Sequence, residues 1–147
     1  VAETASDFTA LEYRELAEFR HHIRRFLAFS EEAARKSGLE PQQHQALLAL
    51  KGLPRGARPT IGELARRLFL RHHSAAELVD RMERAGLAVR EPGRDDARQV
   101  LVRVAPAGHR VLRKLSLAHR AELQVLGPDL LRSLRALLRQ AKRTEAA

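Results

Sequence analysis

The chain has 147 residues, 44% of them hydrophobic and 31% charged, enough for one folded domain with its own core. It contains no cysteine, which excludes disulfides, thiolate metal sites and thiol-based redox sensing, and no apolar run near the ~18 residues of a membrane span. Its net charge of +9 rises along the chain, from −1 over residues 1–54 to +4 over 55–103 and +6 over 104–147, a bias that suits a polyanion partner.

Residues 8–37 read as one long helix. Leu11, Leu16, Phe19, Ile23, Phe26 and Leu27 fall near helical spacing, and Gly38 can supply a left-handed cap. Pro41 suits the first position of a second helix, whose apolar face is Ala46, Leu47 and Leu50 until Leu53-Pro54 stops it. "PRGARP", residues 54–59, reads as a loop. In "PTIGELARRL", Thr60 and Glu63 form a capping-box pattern, and Ile61, Leu64, Ala65 and Leu68 follow at i, i+3, i+4 and i+7. A short turn at Phe69-Leu70 leads into another helix. There Ala75, Leu78, Val79 and Met82 repeat the spacing, and Gly86 ends it. Two short helices joined by a tight turn, the second with a polar leading end, follow the helix-turn-helix plan.

The period then changes. Val100, Val102 and Val104 alternate with Leu101 and Arg103, as in a strand, behind a turn cluster from Pro92 to Asp96. The expected β-hairpin carries Arg94, Asp95, Asp96 and Arg98 at its tip, and helix-turn-helix plus hairpin is a winged helix. After Pro106 the chain returns to helix, with Val111, Leu112, Leu115, Leu123 and Leu126 on one face, up to an expected break at Gly127-Pro128. A last helix then carries Leu130, Leu131, Leu134, Leu137 and Leu138. These leucine faces are wider than a small winged-helix core can use. The expected fold is therefore mainly α (an α+β winged helix), one domain over 1–147. Within it a DNA-binding lobe spans 39–104, and residues 8–37 with 106–143 form a homodimerisation region. Helices that fold back on their own chain are the alternative.

The order and spacing of these segments resemble the MarR family of winged helix-turn-helix transcription regulators over nearly the whole chain. "LEPQQHQALLAL" is similar to the family's second helix, with His44 where an aromatic is usual, and "TIGELARRL" to its third. "LVDRMERAGLAVRE" resembles the end of the recognition helix leading into the wing. "DDARQVLVRVAPAGHRVL" resembles the wing motif Asp-x-Arg (here Asp96-Ala97-Arg98), the return strand and the glycine of the fifth helix. The resemblance implies a homodimer that binds an operator, and a small, phenolic-type effector held between the dimer helices and the lobe. Arginine and histidine near Phe26, Phe29 and His44 are candidates for lining that pocket, and core packing explains the two phenylalanines equally well. Phe69 and Arg71 stand where members often have Gly and Ser, and Ser74-Ala75-Ala76-Glu77 where many have Thr-Val-Thr-Arg. The family's DNA sequence preference is therefore not transferred.

A major groove admits a helix whose leading residues reach the bases, which assigns DNA contact to Arg71, His72, His73 and Ser74. Ser74-x-x-Glu77 is itself a capping box, so Ser74 has a local alternative as a cap, which would shorten the helix by a turn. At the wing, Arg94 and Arg98 suit the negative potential of the minor groove. Asp96 is expected to hold Arg98, and Asp80 with Arg81 to tie the wing to the helix. Arg66, Arg67 and Arg90 are either phosphate contacts or ordinary surface arginines.

Metal is the sharper alternative for the two histidines. Adjacent side chains point about 100° apart on a helix and share one ion poorly, even with His21, His22 or His44 to help, so no metal or other cofactor is expected. Ser74 beside His73 lacks a placed acid and an oxyanion hole, so no catalytic residue is assigned and no enzyme activity is expected. The partners expected are double-stranded DNA, a second copy and a small effector, with no membrane. No secretory signal is read at the N-terminus, and a cytoplasmic location is expected. The competing classes are a helical scaffold domain without DNA binding and a metal-responsive sensor.

Overall fold

Helix ends in this chain are set by local chemistry. In the computed structural model, which describes residues 8–146, helix α1 (Ala10–Lys36) opens on a capping box that the sequence reading missed. Glu12 N–H donates to Thr9 Oγ1 at 3.2 Å, and Thr9 N–H donates to Glu12 Oε2 at 2.7 Å. Its far end is a Schellman turn. Gly38 sits at φ 79°, Leu39 N–H donates to Ala34 O and Gly38 N–H to Arg35 O, both at 3.0 Å, and Leu39 and Ala34 are buried. Helix α2 (Pro41–Lys51) starts on its proline, with Glu40 N–H bonded to Gln43 Oε1 at 3.0 Å. Residues 1–7, counted above in the single domain and read as lacking a secretory signal, lie outside the described residues, as does Ala147.

Helix α3 (Ile61–Leu68) and helix α4 (His72–Arg84) form the helix-turn-helix. Thr60 Oγ1 accepts from Glu63 N–H at 3.1 Å and caps α3. A second Schellman turn at Gly86, φ 71°, ends α4, with Leu87 N–H on Met82 O at 2.9 Å. Strands β1 (Ala88–Pro92) and β2 (Val100–Val104) pair antiparallel in the register Ala88↔Val104, Arg90↔Val102 and Pro92↔Val100. A bridge between Thr60 and Leu101, with Val102 N–H on Pro59 O at 2.7 Å, covers the outer edge of β2.

The chain divides into two compact units. Glu31–Leu117 is the winged-helix unit, and it extends beyond the expected 39–104 at both ends. Ala34 from α1 and Leu112 and Leu115 from helix α5 (Pro106–Glu145) belong to its core, beside Leu47, Leu64, Leu78, Val79, Met82 and Val102. The other unit is made of the described parts of Val1–Ser30 and Ala118–Ala147. In it His119 Nε2 and Ser30 Oγ lie 2.8 Å apart, and the edges of Phe26 and Phe29 meet the His119 ring at centroid distances of 5.8 and 5.4 Å.

The break expected at Gly127-Pro128 is absent: α5 runs unbroken through both residues to Glu145. Pro128 forfeits its own bond to the carbonyl of Gln124 and its ring crowds that carbonyl. His119, Leu126, Leu130, Ser133, Leu137 and Gln140 keep one buried or half-buried stripe in phase on both sides of the proline, so packing holds the helix together. This unit leaves Leu11, Tyr13, Leu16, Leu27, Leu123, Val125, Leu131, Leu134 and Leu138 exposed. Among the described residues no helix is long and apolar enough to cross a membrane.

Candidate nucleic-acid interface

The leading end of α4 is bare. Its first helical residue is His72, and its N-cap is Arg71, extended at φ −69° and ψ 152°, with no side-chain cap. Ser74 therefore occupies the third helical position, and the alternative in which it caps a shorter helix does not occur. Ala75 N–H takes the carbonyl of Arg71, which leaves the amides of the preceding turn pointing forward along the axis. Arg71, His72 and His73 are exposed beside them, and Ser74 is half-buried. Such an end favours anions, since its leading amides lack helical partners and the unpaired guanidinium of Arg71 is exposed beside them.

Cations in this unit fall into two groups. The first is neutralised. Glu63 takes Arg66 through both oxygens, at 2.7 and 3.1 Å, and Arg67 at 3.0 Å. Hydrogen bonds from Arg66 and then Arg67 lower the Glu63 carboxyl to about 2. With a folded value below the unfolded one, this clamp is complete above the ordinary carboxylate range and is lost as pH falls through about 2. An NMR titration of side-chain carboxyl carbons should find Glu63 ionised at pH 3.5; a midpoint near 4.5 would mean the arginines do not hold it.

Arg90 belongs to the same neutralised group. It is 2.7 Å from Asp80, also bonds Glu83, and donates to Ala76 O at 3.2 Å. Burial alone would lower its pKa, but the two carboxylates outweigh burial and raise it, so the guanidinium stays charged. Arg103 pairs with Glu91 at 3.0 Å across the hairpin. Arg81 departs from its expected role: its Nε donates to Glu40 Oε2 at 3.1 Å, tying α4 to the start of α2. The wing is tethered to α4 by Asp80 and Glu83 through Arg90, because Arg90 on β1 faces that side of the helix and Arg81 does not.

The second group is available. Among the described residues no acidic side chain pairs with Arg71, His72, His73 or Arg94. Arg98, at the wing, is 95% exposed. Asp96 Oδ1 accepts from its backbone N–H at 3.0 Å and lies 3.4 Å from its Nε, a contact that fixes the loop while leaving the guanidinium in solvent.

Sequence reasoning missed the latch on this loop. Arg58, from the segment read simply as a loop, donates to Gln99 Oε1 at 2.7 Å and to Asp95 Oδ2 at 3.1 Å. An arginine between Gly56 and Pro59 gives no local sign that it reaches residues about forty positions away. His44, weighed above for metal or ligand, is buried in α2. His21 and His22 lie on α1, the latter 3.9 Å from Glu18. Among the described residues no group of three or more histidines and carboxylates is placed to hold a metal ion.

Residues 37–99, which run from the turn after α1 through the wing tip, match the MarR family. Among solved structures the fold is similar to AbsC, a MarR family transcriptional regulator from Streptomyces coelicolor, at TM-score 0.71 and 23% identity, over 95% of this chain and 97% of that one. It is also similar to an oligodeoxyribonucleotide-bound mutant of MepR from Staphylococcus aureus, at TM-score 0.63 and 16% identity, covering 90% and 96%. A third is CouR from Rhodococcus jostii RHA1 bound to p-coumaroyl-CoA, at TM-score 0.67 and 18% identity, covering 99% and 96%. No curated protein matches the chain in sequence.

Proposed function

We propose that this chain, whose residues 37–99 match the MarR family and whose fold is similar to that of solved MarR family regulators, regulates transcription by gripping a pseudo-palindromic operator as a homodimer. The observation that carries this reading is the division of the cations. Those on α3 and at the base of the wing are spent on Glu63, Asp80, Glu83 and Glu91, while Arg71 at the front of α4 and Arg94 in the wing loop have no acidic partner and Arg98, beside Asp96, keeps its guanidinium in solvent. In the proposed complex α4 enters the major groove through Arg71, His72, His73 and Ser74, and Arg94 and Arg98 enter the flanking minor groove. Asp96 and the Arg58 latch hold the wing in place for that contact.

The apolar residues left exposed on α1 and α5 are what a second copy would cover. A repressor released by a small, phenolic-type ligand is the finer form of this reading. Its support is the CouR complex with p-coumaroyl-CoA, a likeness of fold.

Selection of bound duplexes from a random DNA library tests the reading directly. The expected result is an inverted repeat; no enrichment, or a single unrepeated half-site, would overturn the operator or the dimer respectively. With the selected duplex in hand, Arg94→Ala and Arg98→Ala should each make the slope of log affinity against log salt shallower by about 0.9 while the protein stays folded. Unchanged slopes would remove the wing from the interface.

A further inference from the structure

Phe69, in the turn of the helix-turn-helix, departs from two ordinary preferences at once. It is the only non-glycine residue with positive φ among the described residues, at φ 54° and ψ 39°, and its side chain is 96% exposed. An L-residue in the left-handed region is strained by contact between its Cβ and the backbone, which is why glycine takes this place at Gly38 and Gly86. The strain is imposed by the turn. Leu70 N–H donates to Ala65 O at 2.9 Å and Phe69 N–H to Arg66 O at 3.4 Å, so Leu70 folds back against the core while Phe69 is thrown outward. A polar or glycine residue would meet every structural requirement of the position. The phenylalanine costs stability and solubility without a contact in the fold, and strain of this kind persists where it serves a site.

Its position says what would cover the ring. Phe69 lies three residues ahead of His72, on the connection that leads into the bare, cationic end of α4, with Arg71 between them. Only Leu70 and Arg71 separate Phe69 from His72 in the chain, so a surface that meets the end of α4 comes within a few residues' span of the exposed ring. We propose that Phe69 is a specificity-determining residue that packs its ring on the C5-methyl group of a thymine at the edge of the site read by α4. The only apolar group that a base pair presents in the major groove is that methyl, and phenylalanine is one of the side chains suited to it. This rests on the reading of α4 as the recognition helix.

The test uses full-length protein and the duplex it selects. Each thymine of one half-site is replaced in turn by deoxyuridine, which removes the methyl and nothing else. For wild type, one position should weaken binding by about fourfold, the worth of one buried methyl. In Phe69→Gly that position should become insensitive, and the variant should bind the unmodified operator more weakly than wild type does. Folding cannot be the cause, because glycine relieves the strain: the Tm of Phe69→Gly should rise by about 3 °C.

A deoxyuridine effect of the same size in wild type and Phe69→Gly would overturn the proposal, as would operator binding by the variant equal to that of wild type. Equal losses by Phe69→Gly on operator and random DNA would make the ring a sugar contact without specificity, and the thymine assignment would be withdrawn. If wild type selects no duplex at all, the operator reading fails and this proposal goes with it; selective binding with an indifferent Phe69 rejects this proposal alone.

Discussion

Replacing Gly108 by alanine should destabilise the winged-helix unit by about 2 kcal/mol. The residue is buried in the first turns of α5. A Cβ there would overlap the carbonyl oxygen of Leu87 and would come within 2.9 Å of Val104 Cγ1 and 3.1 Å of Leu47 Cδ2. Side-chain ends can shift, but the Leu87 carbonyl cannot. It follows the Schellman turn at Gly86 and accepts the N–H of Ala105 at 2.9 Å, so α4, the hairpin and α5 are all fixed around it. Two effects oppose. Alanine favours the helix by about 1 kcal/mol over glycine. Overpacking against a fixed backbone atom costs up to ~3 kcal/mol, occasionally more, and it wins. In a domain stable by only ~5–15 kcal/mol, that is a large share. Urea or thermal unfolding reads it, with Tm expected to fall by roughly 4–8 °C. A Gly108→Ala protein as stable as wild type would show that α5 does not approach the hairpin this closely.

His72→Ala and His73→Ala should each weaken operator binding by about 1–3 kcal/mol, a factor of roughly 5 to 150, with little change on random DNA. Both side chains are exposed at the first two positions of α4, and neither packs in the core, so the substitutions leave the fold intact. Base contact and phosphate contact separate cleanly in this experiment. Non-specific affinity rests on phosphates, so an imidazole bonded to a guanine edge is missed only on the operator, whereas a phosphate anchor is missed equally on both duplexes. The two substitutions also test metal. If chelator reproduces the losses and zinc restores binding, the histidines are ligands and their assignment to bases is wrong. Operator binding equal to wild type in both variants would leave Arg71 and Ser74 as the readers at this end of the helix.

Most of the architecture was legible in the residues because it is written locally. Leu64, Leu78, Val79 and Met82 fall at helical spacing and are the core; Val102 and Val104 alternate and are the buried face of the wing. Gly38 and Gly86 end helices because no other residue adopts their φ without strain. The leading residues of α4 were identified for the same reason: a helix that follows a tight turn presents its first residues forward wherever it is placed. The misread break at Gly127-Pro128 shows the limit of local reasoning. The cost of a proline is local, but the packing that offsets it belongs to a helix face and to neighbours far away in sequence.

Pattern and turn chemistry determined the element order, the winged-helix plan, the cysteine-free chemistry and the basic bias. Pairings between distant charges were decided by the tertiary structure alone. Nothing in sequence order distinguishes Arg81, which turns to Glu40, from Arg90, which ties the wing to α4, or marks Arg58 as the latch on the wing loop. Exposure is likewise not a property of residue type, and the same apolar class includes a half-buried Leu70 and, next to it, a Phe69 held out in solvent. Gly108 could be matched to a motif, but its reason, the fixed carbonyl of Leu87 against it, exists only once three elements meet. Side-chain patterns repeat over a few residues and carry local geometry, whereas a long flexible arginine takes whichever carboxylate the folded backbone brings within its reach.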